Sequence, residues 1–255
     1  MRKLYYFFFN IWLTLRFMTL GQLAYLTTKD PIKLRKRCNR FTTDSARRYL
    51  KSLRITVELE NPEALKLLDT KNYLVVANHV SYTDIIVLSS LREFVFITSE
   101  EMGKTPFLGA ITRYGGSLYT DRKKFVSLPK EIERFSQTAR DGFRIVLFPE
   151  GTSTDGSKIR EFRSSLFEIA RQADLDILPI CINYVKIDNQ PRSEANRDLI
   201  CWYGDMDFLP HFTKLLGHSI TVKVRVLEPI AGGTRVKRQD LANAAYDALV
   251  QEYTK

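Results

Sequence analysis

Two side chains that could do acid–base chemistry, His79 and Asp84, lie five positions apart directly behind an apolar run. Residues 73–77 are rich in β-branched side chains, which predicts a buried strand, and Ser81 to Asp84 has the Ser-x-x-acid pattern that starts a helix. On one regular helix the pair would lie roughly 140° apart, but a loop histidine and a first-turn aspartate can meet. A carboxylate on one imidazole nitrogen would then fix the tautomer and leave the other nitrogen as a general base. The alternative is that Asp84 only caps the helix and His79 is an ordinary loop residue.

Polar residues also stand at or close behind the ends of two other predicted extended segments. The segment Phe148 to Thr154 places a carboxylate, a glycine and hydroxyl groups at a strand terminus, where a polyol could be bound, although such a segment alone is more often a turn. Arg122, which two lysines follow, could bind a phosphate, although a basic trio of this kind is more often a surface turn. Each segment therefore indicates a binding site only in combination with His79 and Asp84.

Three other kinds of site lack a necessary residue. The segment Gly103 to Thr105 is similar to the end of a phosphate-binding loop, but Thr98 stands where the first glycine is required. A G-x-S-x-G pattern is absent, so the serine of an α/β-hydrolase has no support. His211 and His218 have no acidic or cysteine partner at metal-ligand spacing, and no metal is expected. The three cysteines have no metal or redox spacing, which indicates free thiols in a reducing compartment.

Strand and helix patterns alternate along most of the chain, and this order is typical of an α/β protein. We predict a single three-layer domain at residues 55–255, with a largely parallel central sheet and helices on both faces, behind an N-terminal apolar anchor and polybasic helical segment at residues 1–54. The predicted strands are residues 55–59, 73–77, 94–97, 144–148, 177–182 and 220–227. The predicted helices begin near residue 81 and span residues 106–114, 128–141, 164–173 and 239–253.

The N-terminal residues combine an apolar stretch with a strongly basic one. Residues 4–28 are apolar except that Arg16 divides them into two uncharged runs of 12. Neither run spans a bilayer alone, and a charge at the centre of a span costs roughly 3 kcal/mol or more, so a helix or helix pair in the membrane interface is predicted. Residues 29–54 hold ten basic and two acidic residues, a net +8 of the total +10, which favours an anionic membrane surface and the cytoplasmic face. The alternative is a buried apolar helix of a soluble core.

Taken together, these segments resemble the glycerolipid acyltransferase family, the group that includes lysophosphatidate acyltransferase (1-acylglycerol-3-phosphate O-acyltransferase). Four family blocks match in order across residues 73–182, and the likeness extends weakly from about residue 45 to the end. The matching residues are Asn78-His79 with Asp84 for the N-H-x4-D block, Gly116 to Arg122 for the G-x-x-x-x-D-R type block, Phe148 to Thr154 for the F-P-E-G-T-R-S block, and Leu178-Pro179-Ile180 for the proline-centred strand. Ser153 departs from the family by standing where arginine is common, and Arg163 departs by standing where a Phe-Lys pair is usual. Both departures concern the acceptor headgroup.

The resemblance implies that His79 is the catalytic base and Asp84 its partner. The substrate-binding residues that it implies are Asn78, Arg122, Glu150, Gly151 and Thr152. The implied reaction transfers an acyl chain from acyl-CoA or acyl carrier protein to the free hydroxyl of a lysophospholipid. The first candidate acceptor is 1-acylglycerol-3-phosphate, which would give phosphatidate. The same transfer to a lyso-aminolipid, or to a lysophospholipid with a larger headgroup, is the alternative. No cofactor, metal or nucleic acid is expected; a non-enzymatic polybasic module that binds membrane or nucleic acid is a remote alternative that explains none of the motifs.

The residue types define a mechanism that requires no covalent acyl-enzyme. His79 would take the proton from the acceptor hydroxyl as that oxygen attacks the thioester carbonyl, and would then protonate the leaving thiolate. Holding both substrates at the membrane would contribute through proximity. Backbone N–H groups near residues 80–82 are the candidates for binding the oxyanion.

Overall fold

A single eight-stranded sheet runs through the computed structural model, which describes residues 2–121 and 126–253. Its strands are β1 (Ile55–Leu59), β2 (Tyr73–Ala77), β3 (Val95–Ser99), β4 (Leu118–Thr120), β5 (Ile145–Leu147), β6 (Asp176–Ile187), β7 (Gln190–Pro191) and β8 (Ile220–Val226). The strand order is β1-β8-β6-β2-β5-β3-β4, and β7 pairs with β6. Neighbours pair in parallel except where β6 meets β7 and β8. The prediction of a largely parallel sheet is confirmed.

Helices cover both faces of this sheet. They are α1 (Arg2–Thr27), α2 (Pro31–Ser52), α3 (Leu67–Thr70), α4 (Thr83–Leu91), α5 (Glu100–Lys104), α6 (Leu108–Tyr114), α7 (Leu128–Arg140), α8 (Glu168–Gln172), α9 (Phe208–Leu215) and α10 (Arg238–Tyr253). One apolar core joins the sheet to α2, α4 and α9, and a second core joins the opposite face to α7, α8 and α10. The predicted three-layer α/β arrangement is therefore confirmed.

The central strand β2 positions the site. All of its residues are buried: Val75 and Ala77 belong to one core, whereas Leu74 and Val76 belong to the other. A parallel strand covered on both faces needs apolar side chains at every position, which explains the continuous apolar run. Because β2 pairs in parallel with β5 on one side and β6 on the other, the carboxyl edge of β2 opens beside theirs.

The N-terminal segment is one continuous helix, α1, which packs on α2 and α6. Asn10, Leu13, Phe17 and Ala24 form its buried face, and Asn10 donates a hydrogen bond to Ser52 Oγ at 2.8 Å. A stripe of large apolar residues is exposed on the rest of the helix: Leu4, Tyr5, Phe8, Ile11, Trp12, Leu15, Leu23, Tyr25 and Leu26. Within the described residues, no helix combines the length and the apolar character that crossing a membrane needs. Since α2 packs on α4 as well as on α1, the division of the chain at residue 54 stays a prediction.

The sequence patterns do not predict the second half of β6 or the short helices α5 and α9. Beyond Ile182, β6 continues to Ile187 by antiparallel pairing with β8. In this half Tyr184 and Ile187 are buried while Lys186 is exposed, so polar residues interrupt the apolar run that marks the first half. The difference matters for the site, because Tyr184 reaches it from this unpredicted half.

Candidate active site

The predicted pair of His79 and Asp84, which we call the dyad, meets at the carboxyl edge of β2. His79 lies on the loop after β2, Asp84 lies in the first turn of α4, and 2.8 Å separates His79 Nδ1 from Asp84 Oδ2. A carboxylate only accepts hydrogen bonds, so the imidazole proton is on Nδ1 and the lone pair is on Nε2. The His79 side chain is 16% exposed, and no residue in the described part of the chain forms a hydrogen bond with Nε2. This nitrogen is therefore available to a substrate proton.

Asp84 is fully buried, and four hydrogen-bond donors surround its carboxylate. Oδ2 accepts from the N–H groups of Val80 at 2.8 Å and Ser81 at 3.0 Å, in addition to His79. Oδ1 accepts from the hydroxyl of Tyr184 on β6 at 2.8 Å. These donors offset the cost of burying a charge. The N–H groups of Val80 and Ser81 thus already donate to Asp84, which removes two of the three candidates for binding the oxyanion, and the N–H of Tyr82 stays a prediction.

The segment after β5 holds the backbone of His79 at both of its polar groups. Glu150 Oε1 accepts from the His79 N–H at 2.7 Å. Thr154 donates its N–H at 3.0 Å and its hydroxyl at 3.2 Å to the His79 carbonyl oxygen. The Phe148 ring stacks on the imidazole with 4.2 Å between ring centroids. The residues from Phe148 to Thr154 therefore fix the position of the histidine.

Glu150 faces the interior and is only 3% exposed. Its second oxygen, Oε2, accepts from the Arg160 N–H at 2.9 Å. Burial raises the pKa of Glu150 to about 7, and the N–H donors of Arg160 and His79 offset part of this rise. Both oxygens thus bind the main chain, one of them at His79. A contact between Glu150 and the acceptor stays a prediction.

Asn78 bonds twice to the main chain of β6. Its side-chain amide donates to the Ile182 carbonyl oxygen at 2.8 Å, and the Ile182 N–H donates back to Asn78 Oδ1 at 2.8 Å. Since Ala77 is the last paired residue of β2, these two bonds continue the connection between β2 and β6 up to the loop that carries His79. The structure thus gives Asn78 a role in holding the loop, and its contact with substrate stays a prediction.

The turn at Gly151, Thr152 and Ser153 is partly exposed beside the dyad. Gly151 has a φ of 75°, and a Cβ there would lie 3.2 Å from Arg163 Nε, so both conformation and space favour glycine. Thr152 is exposed, and the Ser153 hydroxyl donates to the carbonyl oxygen of Trp202. Arg163, also exposed, places a guanidinium beside the turn. The site therefore has a positive charge there, although position 153 lacks the arginine common in the resembling family.

Arg122 lies outside the described residues, and its contact with the acceptor stays a prediction. The block leading to it is described: α6 ends at Tyr114, Gly116 turns the chain with a φ of 77°, and β4 follows. β5 and β3 separate β4 from β2. The described part of this block therefore ends at the carboxyl edge of β4, which is three strands away from β2 in the sheet.

An aromatic wall, which we define as Tyr82, Trp202, Phe208 and His211, flanks the dyad and is missing from the sequence predictions. The main-chain N–H of Trp202 donates to the Val80 carbonyl oxygen at 2.8 Å. The rings of Trp202 and Phe208 contact the Tyr82 ring edge-on. His211 Nε2 donates to a main-chain carbonyl oxygen at 3.1 Å, so Nδ1 accepts from the Tyr82 hydroxyl at 3.1 Å. Burial lowers the pKa of His211, which favours this neutral form. The helical spacing of Phe208 and His211 is the sequence signal that indicates such a wall.

The cysteines are poorly suited to carry an acyl group. All three are free and buried. Burial raises the pKa of Cys38 and Cys201 to about 11 and that of Cys181 to about 12. Because the thiolate is the nucleophilic form of cysteine, an acyl-cysteine intermediate has no support at neutral pH.

Known proteins share both the sequence and the fold of this chain. A family model described as Acyltransferase matches residues 54–183. The chain is 33% identical over 175 residues to the lyso-ornithine lipid O-acyltransferase of Pseudomonas aeruginosa, covering 68% of this chain and 65% of that protein. It is 31% identical over 150 residues to the lyso-ornithine lipid O-acyltransferase of Rhizobium meliloti, with coverage of 56% and 51%. It is 27% identical over 146 residues to the 1-acyl-sn-glycerol-3-phosphate acyltransferase of Neisseria meningitidis serogroup B, with coverage of 57% and 56%. The matching regions thus span about half to two thirds of the length of these relatives.

The crystal structure of the 1-acyl-sn-glycerophosphate (LPA) acyltransferase PlsC from Thermotoga maritima has a similar fold, with a TM-score of 0.63. The likeness covers 100% of this chain and 97% of that protein at 21% identity, so it concerns the fold alone. The family match runs from β1 into β6 and includes His79, Asp84 and Glu150, three of the residues that build the site. By this match, which covers half of its length, the chain belongs to the Acyltransferase family.

Proposed function

We propose that the chain transfers an acyl group from an acyl thioester to the free hydroxyl of a lysolipid. The observation that carries this proposal is the dyad: Nδ1 of His79 is held by Asp84 at 2.8 Å, and Nε2 is left without a partner among the described residues. The donor is acyl-CoA or acyl carrier protein. No further cofactor is needed, because a single imidazole can perform both proton transfers of the reaction.

The proposed mechanism is direct transfer between the two substrates. Nε2 of His79 accepts the hydroxyl proton while the hydroxyl oxygen attacks the carbonyl carbon of the thioester, and Asp84 stabilises the imidazolium that forms. The tetrahedral intermediate then expels the thiolate, and the imidazolium returns the proton to sulfur. A positioned general base contributes roughly 10²–10⁴-fold to the rate, and holding both substrates at one crevice adds the benefit of proximity.

For the acceptor we favour a lyso-aminolipid, with lyso-ornithine lipid as its example, over 1-acylglycerol-3-phosphate. Four relatives named for lyso-ornithine lipid are 28–33% identical over 56–69% of this chain, whereas three named for 1-acyl-sn-glycerol-3-phosphate are 27–30% identical over 44–57% of it, so the longer matches favour the first group. Ser153 replaces an arginine that could bind a phosphate by two hydrogen bonds, and its hydroxyl already donates to Trp202. The phosphate acceptor keeps the support of the Gly116 to Arg122 block, so it is the second candidate.

The proposed substrate-binding residues are the same for both acceptors: Asn78, Arg122, Glu150, Gly151 and Thr152. The exposed Arg163 beside Gly151 adds a cation at the same turn, which suits a negatively charged group in the headgroup. Glu150 and Asn78 would act indirectly, because they hold in place the loop against which the acceptor would lie.

We also propose that the protein works at an anionic membrane surface on the cytoplasmic face. Phe8 and Leu15 on α1 are 60% and 61% exposed, as part of a stripe that would lie in the interface. Helix α2 follows with a dense set of basic residues, and each exposed one would contribute roughly 1 kcal/mol near anionic lipid. The apolar stripe and the basic helix would thus bring the site to its lipid substrate.

An acceptor panel tests the proposed function. Full-length protein on anionic vesicles receives one radiolabelled acyl-CoA and, in turn, lyso-ornithine lipid, 1-acylglycerol-3-phosphate and a lysophospholipid with a larger headgroup; a parallel series uses acyl carrier protein. We expect labelled diacyl product with the highest kcat/KM for lyso-ornithine lipid, and none with the His79→Ala control. A higher kcat/KM for 1-acylglycerol-3-phosphate would make it the first candidate acceptor and lyso-ornithine lipid the second. Absence of His79-dependent transfer to every acceptor with both donors would refute the proposed function.

A further inference from the structure

A directed chain of hydroxyl groups ends on the catalytic aspartate. The Tyr184 hydroxyl lies 2.8 Å from Asp84 Oδ1 and 2.7 Å from Thr83 Oγ1. A carboxylate cannot donate, so Tyr184 must use its one hydroxyl hydrogen on Asp84. The Thr83 hydroxyl then donates to the oxygen of Tyr184. The order of donation is therefore Thr83 to Tyr184 to Asp84.

The two carboxylate oxygens of Asp84 differ in how they are held. Oδ2 accepts from His79, Val80 and Ser81, all of which lie within five positions of Asp84. Oδ1 accepts from Tyr184, which lies on strand β6, 100 residues along the chain. This bond fixes the second oxygen, so it sets the orientation of the carboxylate together with the three donors on Oδ2.

Water cannot readily replace the Tyr184 hydroxyl. Thr83 and Asp84 are 0% exposed and Tyr184 is 1% exposed. Burial and the nearby Asp84 charge raise the pKa of Tyr184 well above its ordinary value, so its proton stays in place at every working pH. A phenylalanine at this position would leave a buried carboxylate oxygen without a donor, and this is costly for a charged group.

We propose that Tyr184, oriented by Thr83, is a positioning residue of the acyl-transfer reaction. It keeps Oδ2 of Asp84 turned towards His79 and moderates the negative charge that the imidazole experiences. This inference rests on the proposed function for its kinetic consequences, but the hydrogen bonds on which it depends belong to the dyad itself. Tyr184 lies beyond the four sequence blocks and beyond the family match, which ends at residue 183.

Loss of this bond should change the basicity of His79 in a defined direction. With one donor fewer, the Asp84 carboxylate retains more of its charge and stabilises the imidazolium better, so His79 should be protonated at higher pH. Among the described residues, the other ionisable groups close to the dyad are Glu150 behind β5, Tyr82 and His211 of the aromatic wall, and Cys201 beside that wall. Because burial raises the pKa of Glu150 to about 7, its own titration contributes to a pH profile near neutrality, and the comparison should be repeated in a Glu150→Gln background, where the effect on His79 should persist.

The test compares Tyr184→Phe with wild type in the full chain. We expect kcat to fall about tenfold or more, the range set by a hydrogen bond to a charged group, while both KM values stay within about twofold. The acidic limb of kcat/KM should move to higher pH. Thr83→Val should give a smaller effect of the same sign, and Thr83→Ser, which keeps the hydroxyl, should restore wild-type kinetics. Tyr49→Phe is the matched control, because it removes a buried hydroxyl contact, to Thr14 at 2.7 Å, away from the dyad.

A titration of the imidazole by NMR separates this inference from the proposed function. The chain has three histidines, so the His79 signal can be assigned with a single His79→Gln variant. We expect a higher His79 pKa in Tyr184→Phe than in wild type, even if no lysolipid acceptor is found. An unchanged His79 pKa together with unchanged kcat would overturn the inference, and so would a loss of thermal stability without either change. If Tyr184→Phe does not fold, Thr83→Val carries the same test, and wild-type values in that variant would overturn it.

Discussion

The buried carboxyl group of Glu150 should make the stability of the fold depend on pH in a predictable way. Glu150 is 3% exposed, and burial raises its pKa from 4.5 to about 7. Between these two values the folded protein keeps a proton that the unfolded chain has lost. Protonation therefore stabilises the fold, fully below about pH 4.5, and this contribution disappears as the pH rises through about 7.

The size of the effect follows from the shift in pKa. A rise from 4.5 to about 7, at about 1.4 kcal/mol per unit, corresponds to about 3 kcal/mol. The substitution Glu150→Gln removes the titration but retains an acceptor oxygen for the His79 N–H. The free energy of unfolding of wild type, relative to this variant, should thus fall by about 3 kcal/mol between about pH 4.5 and about pH 8.

Chemical denaturation of both proteins across this pH range is the assay. All other titrating groups are shared, so their effects cancel in the difference between the two proteins. Glu161→Gln, a nearby exposed substitution, controls for the removal of one acidic group. A difference between wild type and Glu150→Gln that stays constant with pH would refute the reasoning, because the carboxyl would then have the same proton affinity in the folded and unfolded chain.

Four further outcomes are expected. Asp84→Asn should lower kcat by about 10²–10⁴-fold in the acyl-transfer assay by holding the wrong tautomer, and a rate near wild type would contradict the dyad. Arg122→Ala should mainly raise the KM of the acceptor in steady-state kinetics, whereas an unchanged acceptor KM would indicate that Arg122 only forms part of a surface turn. Gly151→Ala should lower the free energy of unfolding by about 1–3 kcal/mol in a denaturant titration, because its φ of 75° suits glycine. Replacing Phe8 and Leu15 by serine should weaken sedimentation of the protein with anionic vesicles. Unchanged binding would contradict the placement of α1 in the membrane interface.

The parts of the site that sequence reasoning predicts correctly depend on neighbouring residues. β2 and the contact between His79 and Asp84 lie within one short stretch, and its apolar run and helix-start pattern are visible locally. The alternation of strands and helices likewise places the end of β5, and with it Glu150, at the same edge of the sheet. The three-layer fold follows from the same alternation.

The parts that sequence reasoning misses depend on contacts between distant residues. Tyr184 reaches Asp84 from 100 positions away, on the half of β6 where a register shift between Tyr184 and Lys186 breaks the regular alternation of a strand. The inward direction of Glu150 is a property of the turn geometry, which its identity as an acidic residue does not reveal. In α1 the buried Leu13 and the exposed Leu15 are the same residue type, so only their faces on the folded helix distinguish them. Two of the three candidate oxyanion donors, the N–H groups of Val80 and Ser81, are unsuitable for a similar reason, because both donate to Asp84, whereas the N–H of Tyr82 stays a candidate.

The acyl-transfer rate of His79→Ala tests the central claim most directly. The comparison uses full-length wild type and variant on the same vesicles, with the preferred acceptor and radiolabelled acyl-CoA, after circular dichroism has shown that both are folded. If His79 Nε2 is the general base, the rate should fall by roughly 10²–10⁴-fold. A folded variant that retains more than about a tenth of the wild-type rate would contradict the account.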